Sequence, residues 1–547
     1  MDTSSPELCL LCCQIIGDYY GDFYQALFQK LTELGRCSAQ QLAQSLHVPL
    51  RNVKNGLAGL VTLRLVFHCT VHDGPTTYTA DLRGVYQVLR IGKLVQLAHN
   101  DHGSLAARII ETACNLKHCT LLELVDRVSR HDEATDESTI RSMVQALIAD
   151  QYLINLRATH LKATSDVHRE IESSMGSAVA RITGTKAKIE HEEQVRLQTN
   201  QSLDTSTTEY GYCDTRGTRP TEGDQNGAVR APQTNDMRDE RLLQPNLYRV
   251  VLHAEMQGLR ASATRTHGSL AAKVLVAAAK IVANPNAWTP SPVINFKTKS
   301  LQKTLVIEAD HEQSDGNDVV MSNGNGSLDR DTSSVTIAQV EASLSRLAEG
   351  PYIFIEHMIE DWYIDKSAMD KYVREEELFK VLESRIPQPA PRILRILMNK
   401  GKLEERTLQE LGLLGARDLK QALLEMKRLG FIDLQEIPRN AQRQPNQTVF
   451  LWFHDHERVQ RYVLEGIYKS MTRLLQLLDL ERTKIESTLA KIERDDVKGN
   501  EKQALGQAEY AVLSRYRKVE AWLNTEIARL DDSVAILRDV PTVTVDF

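Results

Sequence analysis

The chain has 547 residues, of which 25% are charged and 42% are hydrophobic, and its formal net charge at pH 7 is −7. The length predicts roughly three to four domains of an ordinary globular protein. The acidic balance excludes a protein that coats nucleic acid through its overall charge, so any DNA contact has to come from local basic patches. No apolar run approaches the roughly 18 residues of a membrane span, and a basic signal-peptide region is absent at the start, so we expect an intracellular protein without membrane contact.

Residues 1–80 have the element order of a winged helix, a helix-turn-helix variant that ends in a β-hairpin. Pro49 begins the third helix at a favoured first position. On that helix Arg51 and Lys54 lie opposite the apolar face. The helical and extended segments that carry the pattern are 8–34, 39–46, 49–60, 63–67 and 76–79.

Residues 81–165 predict a second winged helix, with helices at 105–113, 121–128 and 138–149 and a strand at 152–154. The sequence HGSLAARII at 102–110 recurs as HGSLAAKVL at 267–275, with six identities. Both copies open a helix at the same place in a similar unit, so the sequence predicts a repeated domain.

A polar segment, 166–240, separates the second and third units, and we expect it to be partly helical from about residue 170 to 200. From Thr199 to Glu240 it is rich in Thr, Gly, Asn, Asp and Arg and has few apolar residues, so we expect a largely disordered linker. The third unit, 241–370, carries a further low-complexity insert, 310–331, that we also expect to be disordered. The elements predicted for this unit are helices at 269–282 and 336–347 and a strand at 352–355.

The fourth unit, 371–455, has the clearest winged-helix pattern. Three short helices are punctuated by Gly401, Gly412 and Gly430, and two extended segments with a long polar tip follow them. The predicted fold is therefore mainly α with small β-hairpins, in the form of four tandem winged-helix domains followed by a C-terminal helical hairpin.

That hairpin is predicted for residues 456–540, where two long segments keep apolar residues at three-four spacing around a short break. The pattern is typical of an antiparallel coiled coil. Tyr516, Leu523 and Leu530 lie on the second apolar stripe. Two alternatives are open: the hairpin packs on the chain's own core, or it projects as an arm that binds a partner.

No motif for catalysis or cofactor binding is complete in this sequence. It has no GxxxxGK, no GxSxG, no HExxH and no GxGxxG after a strand. We therefore expect a chain that is not an enzyme and that uses no cofactor and no metal.

The third helices of the four units differ in charge. The second unit exposes Arg141 and the third exposes Glu341, whereas the helix and wing of the fourth unit carry Arg417, Lys420, Lys427, Arg428, Arg439 and Arg443. With Arg51 and Lys54 in the first unit, the pattern favours phosphate contact by the first and fourth units. The same cations are also compatible with an ordinary solvated helix face, and winged helices often bind proteins.

The order of the units resembles a known family. Residues 12–21, CCQIIGDYYG, the helix-turn-helix from Gln40 to Leu60, and four winged helices before a helical hairpin are similar to the large winged-helix subunit of the heterotrimer specific to RNA polymerase III, which is related to the alpha subunit of TFIIE. The resemblance implies a nuclear, non-catalytic subunit, held on the polymerase clamp with two smaller trimer partners. It also implies contacts with initiation factors and with upstream or melted promoter DNA, in support of promoter opening at genes for transfer RNA and 5S ribosomal RNA.

Two other functions are compatible with tandem winged helices. One is a freestanding DNA-binding transcription regulator, which the acidic net charge and the two units without a basic face disfavour. The other is a scaffold whose winged helices bind protein alone.

Overall fold

The structure, a computed structural model, describes residues 5–70, 75–131, 136–156, 158–176, 185–203, 242–283, 293–299, 301–302, 305, 336–358, 361–386, 388–438, 448–494 and 505–540. These parts are mainly helical, and their strands form four small antiparallel sheets, which confirms the predicted fold class; the count of four winged helices stays a prediction. No helix among them combines the length and apolar content needed to cross a bilayer. They divide into two compact units, Met1–Val250 with Tyr468–Arg529 and Val251–Ile467 with Leu530–Phe547.

The first region of the chain folds as a winged helix. Its sheet has the order β1–β3–β2, and β2 and β3 are the two strands of the wing. A capping box at Ser38 begins α3, because its side chain and that of Gln41 satisfy each other's backbone N–H groups. The sequence predicted one helix over 8–34, but it divides at Gly21, whose φ of +95° favours glycine. The elements are α1 (Pro6–Tyr20), α2 (Asp22–Leu34), β1 (Cys37–Ser38), α3 (Ala39–Leu46), α4 (Leu50–Thr62), β2 (Val66–Cys69) and β3 (Thr77–Ala80).

The second region has the expected helices, but its sheet is completed by a strand from far along the chain. Strand β6 lies between β4 and β5 and pairs with both. The sequence analysis assumed that the sheet of the second unit is completed by a local hairpin, so the start of the third unit that it predicted at residue 241 is wrong. The free-energy cost of closing a loop rises slowly with loop length, so a strand that is distant in sequence can complete the sheet. The elements are α5 (Leu82–Gln87), α6 (Ile91–His102), α7 (Ser104–Leu116), β4 (Cys119–Thr120), α8 (Leu121–His131), α9 (Glu137–Ala149), β5 (Leu153–Asn155) and β6 (Leu242–Pro245).

The segment between β5 and β6 is partly folded. Helices α10 (Thr164–Gly176) and α11 (Thr185–Leu203) pack together, and the Arg36 guanidinium lies 2.5 Å from the Asp166 carboxylate, which ties α10 to the first winged helix. Helix α10 and most of α11 fall in the stretch that was expected to be partly helical, from about residue 170 to 200, whereas the disorder expected from Thr199 to Glu240 does not hold for residues 199–203. A polar helix can dock through a few apolar positions, here Val167 and Val195, both buried. The rest of that linker and the insert 310–331 lie outside the described residues.

The third region also combines helices with a three-stranded sheet, in the order β7–β9–β8. Tyr352 was expected in a strand over 352–355, but it precedes β8 as a fully buried side chain. Its hydroxyl lies 3.0 Å from the hydroxyl of Thr266, which satisfies the buried phenol. The elements are α12 (Tyr248–His267), α13 (Ser269–Ala283), β7 (Val293–Phe296), α14 (Ile337–Glu349), β8 (Ile355–Met358) and β9 (Asp361–Asp365).

The repeated sequence HGSLAA has the same backbone conformation in both copies. Gly103 and Gly268 have φ values of +84° and +90° and each joins two helices. A helix begins directly after each glycine, at Ser104 and at Ser269. A positive φ at this position requires glycine in practice, which is why the motif repeats at the same point in both regions.

The fourth region is a winged helix with a two-stranded wing. Leu403 and Trp452 exchange two backbone hydrogen bonds, of 3.0 and 2.8 Å, and so extend the sheet by a short third strand. Leu419, Leu423 and Met426 of the third helix are buried against the domain core. The elements are α15 (Lys366–Arg385), α16 (Ala390–Lys400), α17 (Glu405–Gly412), α18 (Ala416–Arg428), β10 (Asp433–Pro438) and β11 (Thr448–Phe453).

The C-terminal part of the described chain is an antiparallel pair of long helices, α19 (His456–Lys484) and α21 (Gln507–Val534), with α20 (Glu486–Ile492) between them and a π-helical turn, Ala535–Asp539, after them. Lys491 lies 2.5 Å from Glu509, and Arg482 hydrogen-bonds Tyr516. Lower residue numbers on the first arm therefore pair with higher residue numbers on the second, which means that the two arms run antiparallel. The expected continuous first arm over 456–494 is broken at Ile485, which has φ −117° and ψ 15°.

Within the first compact unit, the hairpin packs on the chain's own core. Met471 accepts a hydrogen bond of 3.8 Å from the buried Tyr86 hydroxyl, and the Lys93 ammonium donates to the Ala528 carbonyl at 2.6 Å. Lys469 forms an ion pair of 2.9 Å with Glu7. These contacts decide between the two alternatives left open by the sequence: here the hairpin is not a free arm.

Candidate nucleic-acid and partner interface

The third helix of the fourth region, α18, presents a basic face. Because Leu419, Leu423 and Met426 fix which side of the helix is buried, the side chains of Arg417, Lys420, Lys427 and Arg428 are all exposed. Arg417 and Arg428 have no carboxylate within ion-pair distance among the described residues. They are therefore available to an anionic partner.

Two of the four cations have neighbours within the domain. Lys420 lies 3.7 Å from the Glu405 carboxylate, and the Lys427 ammonium lies 6.0 Å from the centre of the Trp452 ring. Both lysines remain exposed, and surface ion pairs of this kind contribute at most about 1 kcal/mol. A phosphate can compete for these cations at little free-energy cost.

The acidic group beside this face stays ionised. Asp433 begins the wing, and the backbone N–H of Leu434, at 2.8 Å, holds the pKa of its carboxyl below the usual value, with a further contribution from Arg458. Its negative charge partly offsets the field of Lys427. Lys427 is therefore less available to an external anion than Arg417 and Arg428, which have no such carboxylate within ion-pair distance among the described residues.

In the first region, α4 presents a smaller basic face. Arg51 and Lys54 are exposed on the side opposite Val53, Leu57 and Leu60. The remaining exposed positions of that face are small or polar. A phosphate can therefore approach this face closely and contact its two cations.

The equivalent helices of the other two regions lack such a face. On α9, Arg141 lies 3.0 Å from Glu137 and is half-buried. On α14, Glu341 and Glu349 are exposed together with Arg346. The contrast in charge between the four helices therefore persists once burial is taken into account.

The other residues predicted to be functional fall into two groups. Arg439 and Arg443 lie outside the described residues. Leu523 is fully buried, Tyr516 is 7% exposed and Leu530 is half-buried, so these three residues serve hairpin packing in the described structure.

One exposed apolar residue on α18 was missed by the sequence analysis. Leu424, 65% exposed, lies between Lys420 and Lys427 on the basic face. The spacing 417, 420, 424, 427 places all four residues on one side of a helix, so the signal was present in the sequence. An exposed leucine at this position can make an apolar contact with either the edge of a nucleic-acid base or an apolar side chain of a protein partner.

The end of α18 depends on Gly430, and we expect Gly430→Ala to destabilise this domain by about 1–2 kcal/mol. Gly430 has φ +76°, and an added Cβ would lie 3.0 Å from the Tyr462 ring. Chemical denaturation monitored by hydrogen exchange of α18 measures the change. Gly466→Ala is the matched control, because Gly466 lies within α19, has no positive φ, and an added Cβ there meets its nearest atom at 3.7 Å. Equal effects of the two substitutions would contradict the role of the positive φ.

Among the described residues no group of His, Cys, Asp and Glu side chains could hold a metal ion.

Comparison with known proteins gives matches to two separate domains of the chain and to nearly its whole length. Residues 10–70 match the family model described as the RNA polymerase III subunit RPC82 helix-turn-helix domain, and residues 378–454 match that of the POLR3C C-terminal winged-helix domain. The chain is 28% identical to DNA-directed RNA polymerase III subunit RPC-3 of Coccidioides immitis, over 98% of this chain and 100% of the relative. It is 26% identical to subunit rpc3 of Aspergillus fumigatus, over 97% and 99% respectively.

A shorter alignment, to subunit rpc3 of Aspergillus oryzae, reaches 44% identity over 37% of this chain and 31% of the relative. The two family models cover the first and fourth regions, which are those with the basic α4 and α18. With these matches and its winged-helix structure, the chain is similar along most of its length to the RPC3-type winged-helix proteins, whose curated members are named as subunits of DNA-directed RNA polymerase III.

Proposed function

We propose that this chain is a non-catalytic subunit of DNA-directed RNA polymerase III and acts in the nucleus. The observation that carries the proposal is the alignment over nearly the whole chain with subunits of that enzyme. In the proposed assembly the chain is held on the polymerase clamp with the two smaller subunits of the specific heterotrimer, and it contacts initiation factors. It supports promoter opening and initiation at genes for transfer RNA and 5S ribosomal RNA.

Native mass analysis of the tagged chain purified from cells tests this assignment. We expect an assembly of polymerase size that contains the large catalytic subunits. A free dimer would contradict the proposal in favour of a freestanding regulator. A complex without polymerase subunits would favour a protein-only scaffold.

Within this function, we propose that α18 contacts phosphates of upstream or melted promoter DNA, and that α4 makes a smaller contribution. The support is a set of exposed cations that have no carboxylate within ion-pair distance in the described part of the chain: Arg417 and Arg428 on α18 and Arg51 and Lys54 on α4. Helix α14, with Glu341 and Glu349, does not take part.

The salt dependence of DNA binding tests the role of α18. Each lost phosphate contact lowers the slope of log affinity against log salt by roughly 0.9 on duplex DNA. We expect Arg417→Ala, Lys420→Ala and Lys427→Ala together to flatten the slope by up to about three units, with little dependence on DNA sequence. The measurement is salt-titrated binding of promoter DNA to the assembled complex.

Two controls accompany that measurement. Lys371→Ala, Lys380→Ala and Arg406→Ala remove three exposed cations from other helices of the same unit, and Glu341→Ala changes the face of α14. Neither control should alter the slope. If the α18 variant keeps the wild-type slope while the complex dissociates on a sizing column, α18 is a protein-docking surface.

A further inference from the structure

The fourth region carries an open groove on the side of α16 and the end of α17. Its volume is about 500 Å³. Pro391, Ile396 and Leu411 form an apolar floor, and Arg392, Arg395 and Lys400 stand at its rim. This volume lies in the range of ligand sites that accept a few side chains.

The apolar part of the groove is incompletely covered by the chain itself. Leu411 is 47% exposed, and Leu413, which follows in the turn between α17 and α18, is 86% exposed. Leu413 also has φ +49°, an uncommon conformation for leucine. Two neighbouring leucines in water, beside a concave surface, are a feature of protein-binding sites.

One of the three cations at the rim is held in place by its neighbours, and the other two are available to a partner. Arg395 is fixed by Glu376 at 3.2 Å and lies 4.7 Å from the centre of the Phe379 ring, so its guanidinium is held over the surface. Arg392 and Lys400 are exposed and have no carboxylate within ion-pair distance among the described residues. Both cations are therefore available to an acidic partner at the mouth of the groove.

We propose that the α16–α17 groove binds an acidic segment of a protein partner. An apolar side chain of the segment packs on Ile396 and Leu411, and its carboxylates face Arg392, Arg395 and Lys400. The pattern is that of an amphipathic helix in a groove, in which apolar anchors supply affinity and flanking charges supply orientation. This inference is independent of the DNA contact proposed for α18.

A protein segment fits better than a nucleic acid because a phosphodiester backbone has no apolar group to cover Leu411 and Ile396. Glu383 also lines the groove, and its carboxylate repels phosphates and carboxylates alike, so the acidic side chains of the segment lie toward Arg392, Arg395 and Lys400 and away from Glu383. A carboxylate-bearing helix can instead turn its apolar side to the floor and keep its charges at the basic rim.

Fluorescence anisotropy with the full-length chain tests the proposal. The probes are a labelled amphipathic peptide with leucines at helical spacing flanked by glutamates, the same peptide with lysines in place of glutamates, and a single-stranded DNA of 20 nucleotides. We expect the leucine–glutamate peptide to bind and the lysine peptide not to bind. Arg392→Glu with Lys400→Glu should weaken binding of the former about tenfold or more, because two attractions become repulsions.

Further variants separate the groove from general charge effects. Leu411→Asn should weaken binding of the leucine–glutamate peptide, and it leaves the net charge of the chain unchanged. Lys371→Glu with Arg406→Glu makes the same change in net charge on exposed residues elsewhere in this unit and should leave the affinity unchanged. The proposal is overturned if the wild-type chain does not bind the acidic peptide, if the control variant weakens it equally, or if the DNA alone binds in a groove-dependent way.

Discussion

Leu523→Asp is expected to destabilise the helical hairpin by about 4 kcal/mol or more, because it removes a fully packed leucine and buries a carboxylate in its place. Leu523 has no exposed surface, and it lies on α21 close to the Lys93 contact at Ala528. Hydrogen exchange of the amides of α21 and of the second half of α19 measures the loss locally, which suits a chain with more than one cooperative unit.

The matched control is the neighbouring residue. Trp522 is 58% exposed, so Trp522→Asp introduces the same charge on the same helix at a surface position. We expect it to cost under about 1 kcal/mol. Equal effects at both positions would mean that α21 does not bury Leu523, and the antiparallel packing would be wrong.

Lys366→Met is expected to destabilise the second compact unit by about 3–5 kcal/mol at pH 8, since it leaves two buried carboxylates without their cation. Lys366 lies 2.8 Å from Glu255 and 2.5 Å from Asp370, and both acids are almost completely buried. Burial raises the pKa of Asp370 to about 7, with Lys366 opposing the shift and Glu255 adding to it.

The pH dependence identifies the cause of that loss. Because the folded pKa of Asp370 lies above its ordinary value of 3.8, the folded chain keeps a proton that the unfolded chain releases, and stability falls as the pH rises from about 4 to 7. Without Lys366 the pKa rises further, so the deficit should be largest at pH 8 and shrink toward pH 4.5. Urea denaturation at both pH values measures it.

Lys371→Met serves as the control for Lys366→Met, since Lys371 is 71% exposed and lies 3.9 Å from Glu375. We expect a change below about 0.5 kcal/mol at either pH. A deficit for Lys366→Met that is the same at pH 4.5 and pH 8 would mean that lost packing, and not an uncompensated charge, is responsible.

The winged-helix elements could be predicted because their signals are local. Ser38 caps α3, Gly430 ends α18 with a positive φ, and the apolar spacing of Leu419, Leu423 and Met426 selects the buried face. The side of a helix opposite its buried stripe faces solvent, so the same spacing also predicts which cations are exposed. The exposure of Arg417 and Arg51 therefore follows from the sequence alone.

Features that depend on distant partners could not be predicted in this way. The sequence of β6, Leu242–Pro245, gives no sign that it pairs with Cys119 and Leu153, because strand pairing over such a separation leaves no periodic signal. The groove beside α16 and α17 exists because part of Leu411 stays uncovered, and the tertiary packing determines which part that is. The end of α11 at Leu203 falls in the stretch that was expected to be disordered, because a composition average over residues 199–240 hides where a helix ends.

The two compact units are each built from separated stretches of chain, and this affects how the chain folds while the ribosome is still synthesising it. Tyr86, which is buried partly by Tyr468 and Met471, emerges long before those two residues exist. At ~5–20 residues per second, the roughly 380 residues between them require about 20 to 80 s of translation. Throughout that interval the apolar surface around Tyr86 is uncovered, so we expect the nascent chain to be more prone to aggregation than the finished protein.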